Sequence, residues 1–551
     1  MRTAVLSFLR CPRILGRSCA LFLLSLWLLS SVPAAGQIGR KQWDKTIGGE
    51  GDEASYALQP TPDGGCLVGG YSKSSTSGDR TQPTRGDYDY WVVKLDAAGN
   101  KLWDKAYGGP NGDLLRTILP TPDGGFLLGG ISASGVGGEK SQANRGLGDY
   151  WVVKIDATGT KLWDKTYGGD AEDQLYVMQA TSDGGYLLGG YSASNVSGEK
   201  TQLAQGIDYW LVKIDATGTK LWDKSFGGAG ISILNAIQPT ADGGYLLGGE
   251  STAEISRDKS QASQGSGDMW LIKIDAAGTK QWDRVYGGSN TDRLKVIQAT
   301  PDGGFLLGGY SSSGISGNKT LPSKGGLDQW IVKIDGAGTK LWEQVFGGDK
   351  VDYLYAIHPT SDGNYLLGGL SSSTSSGDKT QDAQGGYDYW IVKMAADGTK
   401  LSDVTFGGNA DDYQFALQPT SDGNYIVGGH SSSGISGSKT QASQGGADYW
   451  VVKFSYNVVT ATTSPSQTNS VAIYPNPTRT TCQLRLPVGA PQVGLQLSLI
   501  DATGHTILTQ PLAAPNGSDI AVEIGQQPTG LYLLRVAGPA GFVATQRLVV
   551  L

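Results

Sequence analysis

The chain predicts an all-β fold, a seven-bladed β-propeller of four-stranded blades followed by a small β-sandwich, on three observations. An Asp-Gly turn recurs at Asp63, Asp123, Asp183, Asp242, Asp302, Asp362 and Asp422, spaced by 60 residues with one interval of 59, and a period of this length marks a repeat architecture. Each unit reads as four short strands with no helical period. One outer strand is in surplus before the first unit and one is lacking after the last.

The third unit shows the elements in order. Leu175 to Thr181 is an apolar run that enters Ser182-Asp183-Gly184-Gly185, where glycine tolerates positive φ and Asp bonds its own backbone, so a hairpin forms. Tyr186 to Tyr191 returns and is followed by a polar loop, Ser192 to Ile207. The run from Asp208 to Asp215 carries β-branched and aromatic residues at strand density. The turn Asp215-Ala216-Thr217-Gly218 then leads into the outer strand Lys220-Leu221-Trp222-Asp223-Lys224. Four antiparallel strands in about 60 residues, seven times over, form propeller blades more readily than the shorter coils of a β-solenoid.

The two ends decide the topology. Every strand carrying Trp91, Trp151, Trp210, Trp270, Trp330 or Trp390 is followed twelve residues later by its outer strand, in which Ser402 replaces the last Trp. The strand carrying Trp450 has no such follower, whereas Gln42 to Ile47 is an outer strand with no blade of its own. Pairing the two closes the ring and leaves no open sheet edge. The tight turns then lie on one side of the disc. The sixteen-residue loops and the blade-to-blade links share the other, and long loops are where binding usually sits.

Residues 1–36 read as a secretory signal: a basic stretch, an apolar run from Ala20 to Leu29, and small residues up to cleavage between Gly36 and Gln37. Removing its arginines takes the formal net charge from −7 to −11, which disfavours a nucleic-acid partner. No segment of the remaining chain is expected to span a membrane. Cys66 and Cys482 are then the only cysteines, so no disulfide framework is expected. The expected organisation is signal peptide 1–36, propeller 37–454, linker 455–470 and sandwich 471–551.

Candidate ligand-binding residues come from two sources. Asp113, Asp173, Asp292, Asp352 and Asp412 recur in the blade-to-blade links and could form an acidic ring for a cation or basic groups, or accept backbone N–H bonds at a turn. His358 and His430 break otherwise regular columns and carry the reading of a general base or ligand against that of drift at a strand end. No cofactor and no metal site is predicted. Calcium stays open on carboxylate chemistry alone, since no Asp-x-Asp-x-Asp-Gly loop occurs. No catalytic residue is assigned.

Three resemblances follow from the motifs. The segment Asp156-Ala157-Thr158-Gly159-Thr160-Lys161-Leu162-Trp163 resembles the tryptophan-docking element of quinoprotein dehydrogenases, and Gly-Gly followed by an aromatic and a Trp resembles the kelch repeat. The vicinal cysteines that serve the cofactor in the quinoproteins have no counterpart here. More specific is the C-terminal segment. Tyr474-Pro475-Asn476-Pro477 after Val471-Ala472-Ile473, then Leu499-Ile500-Asp501 with Gly504, then Pro528-Thr529-Gly530-Leu531-Tyr532 and a terminal strand carrying Arg547, resembles the type A sorting domain of the bacterial type IX secretion system. That resemblance implies secretion machinery as a partner and a mature protein that is released or held on the outer cell surface.

The expected function is an exported binding or adhesion module for an extracellular glycan or protein. A secreted hydrolase or quinoprotein-like oxidoreductase and a structural surface-layer component remain as alternatives, since fold alone does not assign chemistry.

Overall fold

The computed structural model describes residues 39–456, 472–486, 493–501, 506–512, 519–525, 527–539 and 543–551. The expected signal peptide with its Gly36–Gln37 cleavage point, the body of the expected linker and the turn at Ala502 to Gly504 lie outside the described residues. No described helix is long and apolar enough to cross a membrane.

The first blade is built from β2 (Glu53–Pro60), β3 (Cys66–Ser72), β4 (Asp89–Leu95) and β5 (Lys101–Tyr107), paired antiparallel in that order from the axis outward. Five further sheets repeat this order, and the seventh runs from Asp412–Pro419 through Tyr425–Ser431 and Asp448–Ser455 to β1 (Arg40–Ile47). In that last sheet Lys41 pairs with Phe454, Trp43 with Lys453, Thr46 with Trp450 and Ile47 with Tyr449. The surplus strand therefore completes the final blade, as the repeat arithmetic requires.

Closure is visible in the packing between blades. Trp91, Trp151, Trp210, Trp270, Trp330, Trp390 and Trp450 are wholly buried. Tyr90 of one blade lies 4.7 Å from the Trp151 ring of the next and donates its hydroxyl proton to the Trp151 carbonyl at 3.0 Å. The same pair joins the seventh blade to the first: Tyr449 and Trp91 are 4.9 Å apart, and the Tyr449 hydroxyl donates to the Trp91 carbonyl at 3.0 Å. Each of these indoles also donates Nε1–H to the carboxylate of its own outer strand at 3.0–3.2 Å, the acceptor being Asp104 in the first blade and Asp44 in the seventh.

Two glycine positions show why the repeat keeps its small residues. A Cβ on Gly70 would stand 1.9 Å from the Ala54 carbonyl oxygen, because the two inner strands cross there at a bulge. Gly99, at φ +80°, lies beneath the ring of Trp43, so the Trp of one outer strand docks on the turn of the following blade.

Blade six departs at Ser402, and the seam explains it. The seventh blade has no closed Asp-x-x-Gly turn, because its third and fourth strands come from opposite parts of the chain. Tyr456 is buried there, edge-on to Tyr425 at 5.9 Å, with the Lys393 ammonium 4.1 Å from its ring. Lys393 is the register partner of Ser402, so the Tyr456 ring covers the flank that a Trp covers elsewhere. Cys66 is buried as a small core residue beside Val68 and Trp91, its thiol pushed up to about 12 by burial.

The C-terminal unit holds a sheet of Ala472–Tyr474, Thr481–Arg485 and Ile520–Glu523, and a second of Thr506–Leu512, Leu495–Ile500, Gly530–Ala537 and Val543–Val550. Alternating residues such as Leu484, Leu497, Leu499, Val522, Leu534 and Leu548 fill one core between them. Strands expected at Cys482 to Leu486, Leu495 to Ile500 and Leu531 to Val536 are all present.

Candidate functional site

The seven innermost strands enclose a central channel, and their alternation determines which side chains enter it. In Asp352–Pro359, Asp352, Leu354 and Ile357 are buried in the sheet packing, whereas Tyr353, Tyr355 and His358 are half-buried along the channel. A bulge after Leu354 recurs at the same place in every blade and carries the alternation past the middle of the strand. Asp352 marks the long-loop end: its N–H donates to the Leu327 carbonyl, which closes the loop of the preceding blade. His358 lies toward the tight-turn end, opposite Leu366.

The five aspartates singled out in the links each begin an innermost strand with no solvent exposure. Asp113 accepts the Gly109 N–H at 2.8 Å and the Ser134 hydroxyl at 2.9 Å. Asp173, Asp292, Asp352 and Asp412 repeat both bonds, at 2.7–2.8 Å to the glycine and 2.7–3.0 Å to the serine. They stand one per blade junction, enclosed by protein, and do not converge on the channel. Each faces a carboxylate of the preceding blade; Asp149 stands beside Asp173 and Asp388 beside Asp412. Burial pushes Asp113 up to about 6 and Asp388 to about 7, the nearby carboxylate adding to the latter.

The histidines are not brought together. His358 hydrogen-bonds to the backbone of Leu417 in the next blade. His430 lies toward the long-loop end, opposite Tyr413, with its ring 5.6 Å from Phe415 and 5.2 Å from Tyr413. Burial lowers both to about 4, so each is neutral at physiological pH.

The side chains that differ from blade to blade converge elsewhere. At the fourth position of the innermost strands, one level of the channel carries Tyr56, Arg116, Tyr176, Asn235, Lys295, Tyr355 and Phe415, all on the wall of one cavity of about 290 Å³. The Arg116 guanidinium lies 4.4 Å from the Tyr56 ring centre and 5.4 Å from that of Tyr176. Lys295 places its ammonium 5.8 Å from the Tyr310 ring and 3.5 Å from Asn235 Oδ1. Burial pulls Lys295 down to about 8, against the pull of Glu250. Toward the long loops, Arg293 pairs with the buried Glu250 at 2.6 Å. Beside them Tyr310, Tyr353, Tyr387 and Tyr413 stand in a row at centroid separations of 4.5, 6.2 and 5.4 Å.

Sequence reasoning passed over this set because it sought breaks in constant columns. The available signal was a column that carries five residue types in seven blades, between a column that is mostly Leu and one of small aliphatic and Thr residues. Among the described residues no group of three or more His, Cys, Asp or Glu is placed to hold a metal ion.

In the C-terminal unit the Tyr474-Pro475-Asn476-Pro477 motif ties the first strand to the last. Asn476 donates Nδ2–H to the Arg547 carbonyl at 2.8 Å and accepts the Val549 N–H at 2.9 Å. Tyr474 lies under the Arg485 guanidinium at 5.6 Å, and Arg485 pairs with Asp519 at 2.7 Å. Tyr532, two residues after Gly530, donates its hydroxyl proton to the Pro528 carbonyl at 2.7 Å. Residues 472–551 match the family model described as the secretion system C-terminal sorting domain. The C-terminal unit is a type IX secretion sorting domain. A sorting domain implies interaction with the secretion machinery and export to the cell surface or beyond.

The propeller carries weaker likenesses. The chain is 24% identical over 265 residues to the regulatory protein FlaEY of Caulobacter vibrioides, a match covering 45% of this chain and spanning only 28% of that relative's length. Among solved structures, BBS1N in complex with ARL6DN is 10% identical with a TM-score of 0.40, over 76% of this chain and 96% of that one. PorZ, a surface component of the type IX secretion system of Porphyromonas gingivalis, is 12% identical with a TM-score of 0.20, over 92% and 100%. YCF48 bound to D1 peptide is 8% identical with a TM-score of 0.35, over 77% and 99%. The assignment of a propeller rests on the sheet order and register above.

Proposed function

We propose that this protein is an exported binding or adhesion module that receives an extracellular glycan or protein at the long-loop mouth of its channel. One observation carries the reading: residues repeated in all blades are spent on blade packing, while the position that varies from blade to blade brings Arg116, Asn235 and Lys295 together with aromatic rings on one concave surface. A fold built from near-identical units needs no such divergence there, whereas a discrete ligand does. Residues 1–36 act as the leader, removed before Gln37, and the sorting domain then carries the propeller across the outer membrane. The link aspartates serve the junctions between blades, and the two histidines stand along the channel as neutral side chains.

Two measurements test this. Binding of the purified protein to glycan and matrix-protein arrays is expected, with retention lost in the Tyr353→Ala/Tyr413→Ala double variant. Equal retention by that variant, at unchanged thermal stability, would overturn the location. N-terminal sequencing of exported protein is expected to begin at Gln37, and deletion of 472–551 is expected to hold the propeller inside the cell. Export of the truncated chain would contradict the role given to the sorting domain.

A further inference from the structure

We infer that the channel cavity just inside the long-loop mouth binds a carboxylate-bearing sugar, the terminus of an acidic oligosaccharide, with Arg116 and Lys295 receiving the carboxylate and the tyrosines receiving the ring faces. This deepens the proposed binding role and rests on it.

The argument begins with charge. Three cations reach this part of the channel, Arg116, Arg293 and Lys295, and Glu250 is held by one of them, Arg293, at 2.6 Å. Among the described residues Arg116 has no carboxylate partner; its Nε is buried without a hydrogen-bond acceptor, and its contacts are two tyrosine faces. Lys295 forms no ion pair: its contacts are the long one to Asn235 and a ring beside it, with Glu250 attracting it from a greater distance. A desolvated cation without a partner is costly, so a site that holds two of them in one cavity is shaped for an incoming anion. Guanidinium stacked between rings keeps its planar N–H edge free, and that edge matches a carboxylate in two parallel bonds.

Shape narrows the anion to one attached to a ring. The cavity of about 290 Å³ is walled by Tyr56, Tyr176, Tyr310, Tyr355 and Phe415, with Asn235 as a neutral hydrogen-bonding group. Flat aromatic walls with polar tips suit the alternating C–H and O–H surfaces of a pyranose better than a compact phosphate. The row from Tyr353 through Tyr387 to Tyr413 extends the platform outward, giving further ring units a surface. Two charged acids stand nearby: Glu172 accepts the Tyr191 hydroxyl at 3.0 Å, and Asp411 the Tyr413 hydroxyl at 3.5 Å, and neither forms an ion pair with Arg116 or Lys295 among the described residues.

The test is calorimetric titration of the full mature chain with trigalacturonate, its methyl ester and glucose. Trigalacturonate is expected to bind, the ester and glucose about tenfold more weakly or not at all, and Arg116→Gln and Lys295→Met each to weaken the acid by about tenfold while leaving the ester unchanged. Affinity for the acid is expected to fall as pH rises through about 8, with proton uptake on binding, as Lys295 loses its charge amid Glu250, Arg293, Arg116, Tyr310 and Asn235. Acid and ester binding equally well, or no acid binding at millimolar concentration, overturns the inference. If a neutral glycan or a peptide binds and is lost in the Tyr353→Ala/Tyr413→Ala variant, the mouth stands as a site and the acidic ligand falls. Unchanged thermal unfolding of Arg116→Gln and Lys295→Met separates lost contacts from lost fold.

Discussion

Removing one carboxylate from the closing strand separates the two ways in which a blade is held together. Asp44 is buried and accepts the Thr440 N–H at 2.9 Å, the Thr440 hydroxyl at 2.9 Å and the Trp450 indole N–H at 3.2 Å, with Lys41 paired to it at 2.6 Å. Asp104 in the first blade has the same set: Thr81 N–H at 2.9 Å, Thr81 hydroxyl at 2.8 Å, Trp91 at 3.1 Å and Lys101 at 3.0 Å. Replacing either by Ala strands a buried indole and a loop amide, each costing about 1–3 kcal/mol. The partly exposed lysine pair adds about 0–1 kcal/mol. Both variants therefore lose roughly 2–7 kcal/mol.

The consequence differs because β5 is tied to its sheet by the short turn from Asp96 to Asn100, whereas β1 is joined to Asp448–Ser455 by no covalent path shorter than the whole ring. Asp44→Ala is expected to release β1 at a free energy well below global unfolding, exposing the backbone of 448–455 and the buried Ile47. Hydrogen exchange by mass spectrometry should show fast exchange at 40–47 and 448–455 in Asp44→Ala, with 89–95 and 101–107 still protected in Asp104→Ala. Equal protection of both sheets in both variants would refute closure by the borrowed strand.

Three further outcomes follow. Burial raises Asp268 and Asp388 to about 7, so their contribution to stability is full below the ordinary Asp range and is lost as pH rises through about 7. Asp123 and Asp183 are held low by Lys154 and Lys213, so their contribution is lost as pH falls below the ordinary Asp range. Calorimetric Tm is expected to peak in mild acid and decline toward pH 8, with Asp388→Asn flattening the decline; a Tm constant from pH 5 to 8 contradicts this. Tyr456→Ala should cost about 3–5 kcal/mol in denaturant unfolding by opening the seam beside Ser402, and a loss under 1 kcal/mol would count against that packing. Gly70→Ala should prevent folding of the first blade, since its Cβ meets a carbonyl, whereas Gly124→Ala, at φ +81° in open space, should cost only about 1–2 kcal/mol; equal losses in thermal melts would disprove the distinction.

The architecture was legible because its determinants are local and repeated. Asp-Gly turns, strand-dense runs and the unequal ends at Gln42 and Trp450 each survive in one dimension, and the ring follows from counting them. The site was less legible because burial is not written in any one residue. Asp113 and its equivalents read first as turn acceptors and second as an exposed acidic ring; the register seats each at the start of an innermost strand beside a serine just past the next strand, where it accepts a backbone N–H. Arg116 and Lys295 lie 179 residues apart and share a cavity only because the strands radiate from one axis. Ser402 looked like a lost tryptophan, and its partner Tyr456 lay beyond the last recognised repeat strand.

The most direct measurement is fluorine NMR of the mature protein labelled with 3-fluorotyrosine, its resonances assigned through single Tyr→Phe variants and followed during titration with trigalacturonate. Shifts are predicted at Tyr353, Tyr387 and Tyr413 and at Tyr56 and Tyr176 beside Arg116, while Tyr90, Tyr150 and Tyr209, sealed between blades, stay in place. Shifts confined to tyrosines away from the channel, or none at saturating ligand, would contradict the placement of the site at the mouth.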